Sequence, residues 1–146
     1  MTDLGKSITR TVEAYKTAVY ARDAEAFIRL YDPKVRVFDT WGIWEYENAT
    51  KWMSSVENWL NSLGTEKVQV AFNEIQVAGS TDFAFLSAIV TYTALSAEGK
   101  ELRSMENRLS WVLKQSGHIL RIVHEHTSAP IGFEDMKAIL HRRPAE

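Results

Sequence analysis

No cysteine occurs in the 146 residues, which removes disulfides, thiolate catalysis and zinc–sulfur sites together and leaves the redox compartment open. With three prolines and seven glycines, there is no low-complexity tract, internal repeat or linker to divide the chain, so a single domain over 1–146 is expected. Positive charge is not in excess. The net charge of −2 and a pI near 6.1 give no basic footprint, and nucleic acid and anionic membrane are excluded as expected partners. No stretch approaches the roughly 18 apolar residues needed to cross a bilayer, and the opening MTDLGKSITRTVEAYK has no leader-like apolar core, so a soluble cytoplasmic protein is expected. Phosphate loops, dinucleotide fingerprints and Ser-His-Asp nucleophile motifs are also missing, which speaks against phosphoryl and hydride transfer; no cofactor is expected.

What is present is an ordinary globular composition, 45% hydrophobic and 25% charged, arranged in two periods. From Ser7 to Tyr20 the residues Ile8, Val12, Tyr15 and Val19 recur at three- and four-residue steps, one stripe of a helix. Asp23 is placed to cap a short second helix whose Phe27, Leu30 and Tyr31 face inward before Asp32-Pro33 stops it. VRVFD then alternates as a strand, with Val35, Val37 and Asp39 on one face. Asn48 opens a third helix with Trp52, Val56, Trp59, Leu60 and Leu63 as its buried stripe.

The second half changes to a period of two. Four β-rich stretches, about Lys67–Val77, Phe83–Leu95, Leu102–Leu113 and His118–Thr127, are separated by AGSTD, SAEGK and KQSGH, as in antiparallel hairpins. The expected fold is α+β: a cone-shaped roll in which N-terminal helices pack on a curved antiparallel sheet with a pocket between. The closing GFEDMKAILHRRPAE reads as one short helix through Phe133, Met136 and Leu140, followed by a solvated charged tail.

Two segments, YARDAEAFIRLYDPKVRVFD (Tyr20 to Asp39) and ENRLSWVLKQSGHILRIVHEHTSAP (Glu106 to Pro130), together with this order of elements, resemble the nuclear transport factor 2-like superfamily. Ketosteroid isomerases, SnoaL-like cyclases and the calcium/calmodulin-dependent kinase association domain belong to it. The resemblance implies a small-molecule pocket and, in many members, a dimer through the sheet; it spans enzymes and pure assembly modules, so fold alone does not give activity.

Tyr15 and Asp39 fall on the positions where the isomerases carry a hydrogen-bond donor and a general base. The resemblance therefore implies cofactor-free proton transfer, with Asp39 as base in an isomerase, cyclase or hydrolase. The alternative for the same residues is plain packing for Tyr15 and a turn aspartate for Asp39. No acidic residue near Leu109 matches the isomerases' second aspartate. Comparison with the kinase association domains places Glu106, Arg108, Glu125 and Thr127 on the pocket side, with Arg108 able to grip a carbonyl or carboxylate through its fixed fork. The bland reading is an internal ion pair of Arg108 with Glu106 or Glu125. Two acids beside one arginine favour a neutral, mainly apolar organic ligand.

Five tryptophans supply aromatic surface. Trp41 and Trp44 lie outside regular periodicity and are read as pocket-mouth residues, with Tyr92 as a further ligand contact, whereas Trp52 and Trp59 are read as core. Leu109, Trp111, Ile122, His124 and His126 are assigned to a sheet-face homodimer contact. His124 and His126 share a strand face, but a metal needs a third ligand, and His118 and His141 lie in a turn and the tail, so no metal site is expected. A non-catalytic ligand-binding or oligomerisation domain remains the alternative function.

Overall fold

The computed structural model describes residues 3–142. Helix α1 (Asp3–Ala21) buries Ile8, Val12, Tyr15 and Val19 and ends where Arg22 enters the left-handed region at φ 57°. There Arg22 N–H donates to the Val19 carbonyl and Asp23 N–H to the Ala18 carbonyl, the paired bonds that close a helix C-terminus. Asp23 then caps α2 (Ala24–Ile28), accepting from Ala26 N–H. The short α2 leads directly into β1 (Tyr31–Phe38), so Tyr31 starts the strand rather than ending the helix. Asn48 caps α3 (Ala49–Asn61), whose Trp52, Val56 and Leu60 turn inward.

Strands β2 (Lys67–Gly79), β3 (Phe83–Leu95), β4 (Glu101–Ser116) and β5 (Ile119–Ser128) form the expected antiparallel meander. The sheet is nevertheless mixed, not antiparallel throughout: its order is β1-β5-β4-β3-β2, and β1 joins β5 in parallel. This pairing is reached through the whole intervening chain, and nothing local to VRVFD signals it. A bulge in β2 between Asn73 and Gln76, with Glu74 at φ 52°, bends that strand and curves the sheet.

The helices cover the face of β4 that carries Leu109, Trp111 and Leu113, all of which are fully buried. Trp111 has 0% exposure, and enclosing an indole contributes on the order of 5 kcal/mol before conformational entropy is counted. The dimer contact assigned to Leu109, Trp111 and Ile122 is therefore corrected: all three are spent inside this chain. The apolar face of β4 is the one the helices need to cover, which sends Glu106, Arg108, Ser110 and Val112 to the outer face.

A second correction concerns β5. Val112 pairs with His124 and Leu113 with Ile122, so Val123 is an extra residue that breaks the alternation. Ile122 thus faces inward with Leu113, while His124 and His126 face out and Glu125 and Thr127 face in. His124 and His126 both set their rings edge-on to Phe38, at 5.1 and 5.3 Å, and His124 Nδ1 lies 2.7 Å from the Arg36 carbonyl oxygen.

The C-terminal stretch forms no helix within the described residues. Ile131 bridges to Ala138 and Met136 takes φ 60°, which folds the segment back on itself. It then lies along the part of β4 that β5 does not cover: Glu106 N–H donates to the Leu140 carbonyl at 2.7 Å, and Glu106 Oε1 accepts from Arg142 N–H at 2.8 Å. Residues 143–146, expected as the end of a solvated tail, fall outside the described residues.

Candidate functional site

Beyond the end of β1 the chain forms a closed loop, because Val37 and Tyr46 exchange both backbone hydrogen bonds, at 3.0 and 2.9 Å. Gly42 lets the loop turn: it sits at φ 86°, and a Cβ there would stand 3.1 Å from the Tyr46 hydroxyl. This loop, α3 and the concave sheet face enclose a cavity of about 550 Å³. Phe27, Trp52, Trp59, Tyr46 and Val56 provide apolar walls, and Leu140 of the C-terminal segment helps form the rim beside Arg103 and Met105.

Two carboxyls and a tyrosine pair are among the polar groups that line this cavity. Asp39, at the end of β1, accepts from the Thr127 hydroxyl through Oδ1 at 3.0 Å and from Trp41 N–H through Oδ2 at 3.3 Å. Burial raises its carboxyl above the ordinary aspartate value, against the lowering effect of these donors. Glu125, from β5, is 1% exposed; its Oε1 accepts from the Tyr31 hydroxyl at 2.5 Å and the Trp111 indole N–H at 2.9 Å. Desolvation pushes it up to about 7, in spite of both hydrogen bonds, and the nearby Asp39 charge adds to the rise.

Tyr15 and Tyr92 are the tyrosine pair, with their hydroxyls 2.8 Å apart. Both are raised above the usual phenol value, first by burial, so they remain neutral hydrogen-bonding groups. The Tyr15 ring is wedged between Phe27, Phe72 and Trp111 at centroid distances of 4.9 to 5.7 Å. Trp59 meets Tyr92 edge-on at 6.3 Å.

The structure thus brings together Tyr15, Asp39, Tyr92, Glu125 and, at the rim, Trp41. Thr127 is buried behind Asp39, tied to it and to Thr40, and lines a second recess with Ile43, Trp44 and His126. Trp44 is 96% exposed and lines that recess instead of the main cavity. Arg108 and Glu106 are corrections to the expected site. Arg108 is exposed on the outer face and donates to the Ser128 hydroxyl at 3.0 Å; Glu106 anchors the C-terminal segment. Among the described residues, neither Asp39 nor Glu125 forms an ion pair. Arg103, the basic side chain in the cavity lining, bonds both oxygens of Glu66 at 2.7 and 3.2 Å.

Sequence reasoning missed Asn107, Trp52 and Tyr46 as cavity residues. For Asn107 a signal existed: it is an amide between Met105 and Leu109 on the face that continues through Trp111 and Leu113, where a polar group needs a reason to be buried. Among the described residues, no group of three or more histidine, aspartate or glutamate side chains is placed to hold a metal ion, and no helix is long and apolar enough to cross a membrane.

A family model described as SnoaL-like domain matches residues 8–132. Solved structures share the fold. An NTF2-like protein of unknown function from Pseudomonas putida KT2440 is 20% identical over 99% of both chains, with a TM-score of 0.84. A Xanthomonas campestris protein described as a calcium/calmodulin-dependent protein kinase II association domain is 18% identical over 84% of this chain and 85% of that one, with a TM-score of 0.71. ActVI-ORFA from Streptomyces coelicolor is 10% identical over 87% and 97%, with a TM-score of 0.76. Comparison with curated proteins gives no match. At these identities the structures establish the α+β, NTF2-like fold and nothing finer.

Proposed function

The chain belongs to the SnoaL-like domain family, and on that premise we propose that its cavity binds a small, neutral, mainly apolar carbonyl compound and moves a proton on it without a cofactor. The observation that carries this reading is the pair of carboxyls, Asp39 and Glu125, in one aromatic-walled cavity with no cation bonded to either among the described residues. Asp39 is the general base. Its Oδ1 is held by Thr127, and partial desolvation brings its proton affinity nearer to working pH. A proton leaves the carbon beside the ligand carbonyl for Asp39, and the charge moves onto the carbonyl oxygen. Neutral donors in the same cavity, the protonated form of Glu125 and the Tyr15–Tyr92 pair, suit that developing oxyanion. An anionic ligand would meet the ionised Asp39, while Arg103, the basic side chain among the described lining residues, is already paired with Glu66.

The test is isotope exchange. Neutral cyclic ketones such as 1-tetralone, incubated with the protein in heavy water, are expected to lose their α-proton NMR signals faster than in buffer. Asp39→Asn should cut that rate by on the order of a hundredfold or more. Exchange unchanged in Asp39→Asn would end the reading of Asp39 as base.

A second reading, association without catalysis, draws on the outer sheet face, where Phe83 and Phe85 remain exposed. A homodimer through that face would cover them, and light scattering at micromolar concentration measures it directly.

A further inference from the structure

The two carboxyls of the cavity stand one same-face step apart along the sheet. Asp39 accepts from the Thr127 hydroxyl of β5 at 3.0 Å, and Glu125 lies two residues before Thr127 on the same strand face, beside Val37 of β1. Two residues of extended strand span about 7 Å. That gap leaves room for two neighbouring groups of one small molecule, one at each carboxyl.

The two oxygens of Glu125 are not equivalent. Oε1 takes both protein hydrogen bonds, from the Tyr31 hydroxyl at 2.5 Å and the Trp111 indole N–H at 2.9 Å. Oε2 takes none among the described residues. The fully enclosed side-chain atoms without a partner are Trp52 Nε1 and Asn107 Oδ1; Oε2 is not one of them, so it keeps accessible surface where Glu125 lines the cavity. With Oε1 occupied by two donors, a proton on this carboxyl belongs on Oε2, the oxygen open to the cavity. The titratable groups that act on Glu125 are Tyr31, Tyr15, Tyr92 and Asp39. None of these is a cation, and burial holds the Glu125 proton up to about 7.

One carboxyl is therefore set up as a base and the other as an acid, in one aromatic-walled space. A hydrogen bond to an enolate oxygen uses an acid's proton without giving it up. A departing hydroxyl needs the proton itself, because hydroxide is a poor leaving group.

We propose that the pair dehydrates neutral β-hydroxy ketones: Asp39 removes the proton from the carbon beside the carbonyl, and Glu125 gives its Oε2 proton to the hydroxyl on the next carbon. The C–H electron pair becomes the new C=C bond, the C–O bond breaks, and its electrons leave with the oxygen as water. Asp39 ends protonated and Glu125 ionised, so one proton passed from Asp39 to Glu125, through the released water, restores the site. The product is a conjugated enone, and no oxidant or reductant is consumed. The inference rests on the reading of Asp39 as base and adds a reaction and a substrate class to it.

The test uses the aldol of benzaldehyde with acetone, a neutral aromatic β-hydroxy ketone, and follows the ultraviolet absorbance of its dehydration product, benzylideneacetone. Benzylacetone, which lacks the hydroxyl, reports α-proton exchange in heavy water by NMR. Wild type is expected to accelerate both over buffer. Glu125→Gln keeps an oxygen for Tyr31 and Trp111 and puts an N–H in place of the acid, so it still donates a hydrogen bond but has no proton to transfer. It should lower dehydration by on the order of a hundredfold and exchange by less than about tenfold. Should the variant fold poorly, wild type alone gives a second readout: above about pH 7, where Glu125 ionises, buffer-corrected dehydration should fall more steeply than exchange. Exchange without dehydration above buffer would overturn the proposal and leave Asp39 standing as the base. Absence of both would remove the base and the proposal with it. Equal losses of both in Glu125→Gln, a dehydration-to-exchange ratio that does not change with pH, or benzaldehyde as the product would each overturn the proposal as well.

Discussion

The Thr127 hydroxyl donates to Asp39 Oδ1 at 3.0 Å while accepting the Thr40 backbone N–H at 2.8 Å. One side chain from β5 thereby fixes both the carboxylate that ends β1 and the first turn of the loop that follows. Thr127→Val keeps the shape and removes the hydroxyl. The lost hydrogen bond is one of those that lower the Asp39 carboxyl against the effect of burial, so Asp39 should move further up and the acid limb of a pH–exchange profile should shift to higher pH. Thr40 N–H loses its Thr127 acceptor as well, and urea unfolding should show a loss of about 1–3 kcal/mol. An unshifted acid limb would mean that Thr127 does not tune Asp39.

Tyr15 and Tyr92 satisfy each other inside the cavity wall, with their hydroxyls 2.8 Å apart and both rings buried or nearly so. Tyr15→Phe takes from the Tyr92 hydroxyl its Tyr15 partner and leaves it Asn107, and Tyr92→Phe takes from Tyr15 its Tyr92 partner; each should cost about 1–2 kcal/mol. The double variant should cost clearly less than the two single costs added, with a coupling energy on the order of 1 kcal/mol in a denaturant double-mutant cycle. Additive losses would show that the two hydroxyls are satisfied separately.

Legibility from sequence followed the range of the interactions. The stripe Ile8-Val12-Tyr15-Val19 and the caps Asp23 and Asn48 act within a few residues, and the helices stand where periodicity puts them. The hairpins from Lys67 onward are equally local. What could not be read required a distant partner or a single extra residue. The parallel seating of β1 on β5 joins segments about ninety residues apart (Val37 beside Glu125). The bulge at Val123 reverses the facing of Ile122 relative to His124, and strict alternation cannot foresee it. On β4, the resemblance to the kinase association domains put Glu106 and Arg108 on the pocket side, yet the strand's apolar side is the one that meets both helices and cavity. The buried polar residue there, Asn107, sits among hydrophobic neighbours.

That reversal of β4 makes Arg108 an informative substitution. Its guanidinium is on the outer face with Ser128, with the sheet between it and the cavity. Arg108→Ala should change binding of 1-tetralone by less than about twofold and stability by about 0.5 kcal/mol or less, as at ordinary surface positions. A tenfold loss of binding would require the outer face to communicate with the cavity. Calorimetric titration of wild type and variant side by side decides it.

Glu125 should impose a pH dependence on folding itself. Its carboxyl stands near 4.5 without its surroundings and is pushed up to about 7 in the fold, chiefly by desolvation. Below about pH 4.5 both folded and unfolded chains hold the proton, and the contribution to stability is fully present. As pH rises from there toward 7 the unfolded chain releases the proton first, so stability falls, and above the folded value the loss is complete, on the order of 3 kcal/mol. Asp39, also raised by burial, adds a loss of the same sign at lower pH. Glu125→Gln separates the two, because its amide oxygen can still accept from Tyr31 and Trp111 while nothing titrates at that position. Thermal unfolding from pH 5 to 8 should show wild type losing stability as pH rises and the variant losing much less, so that Glu125→Gln is the more stable protein at pH 8. Parallel curves for the two would show that Glu125 does not carry the proton that this burial assigns to it.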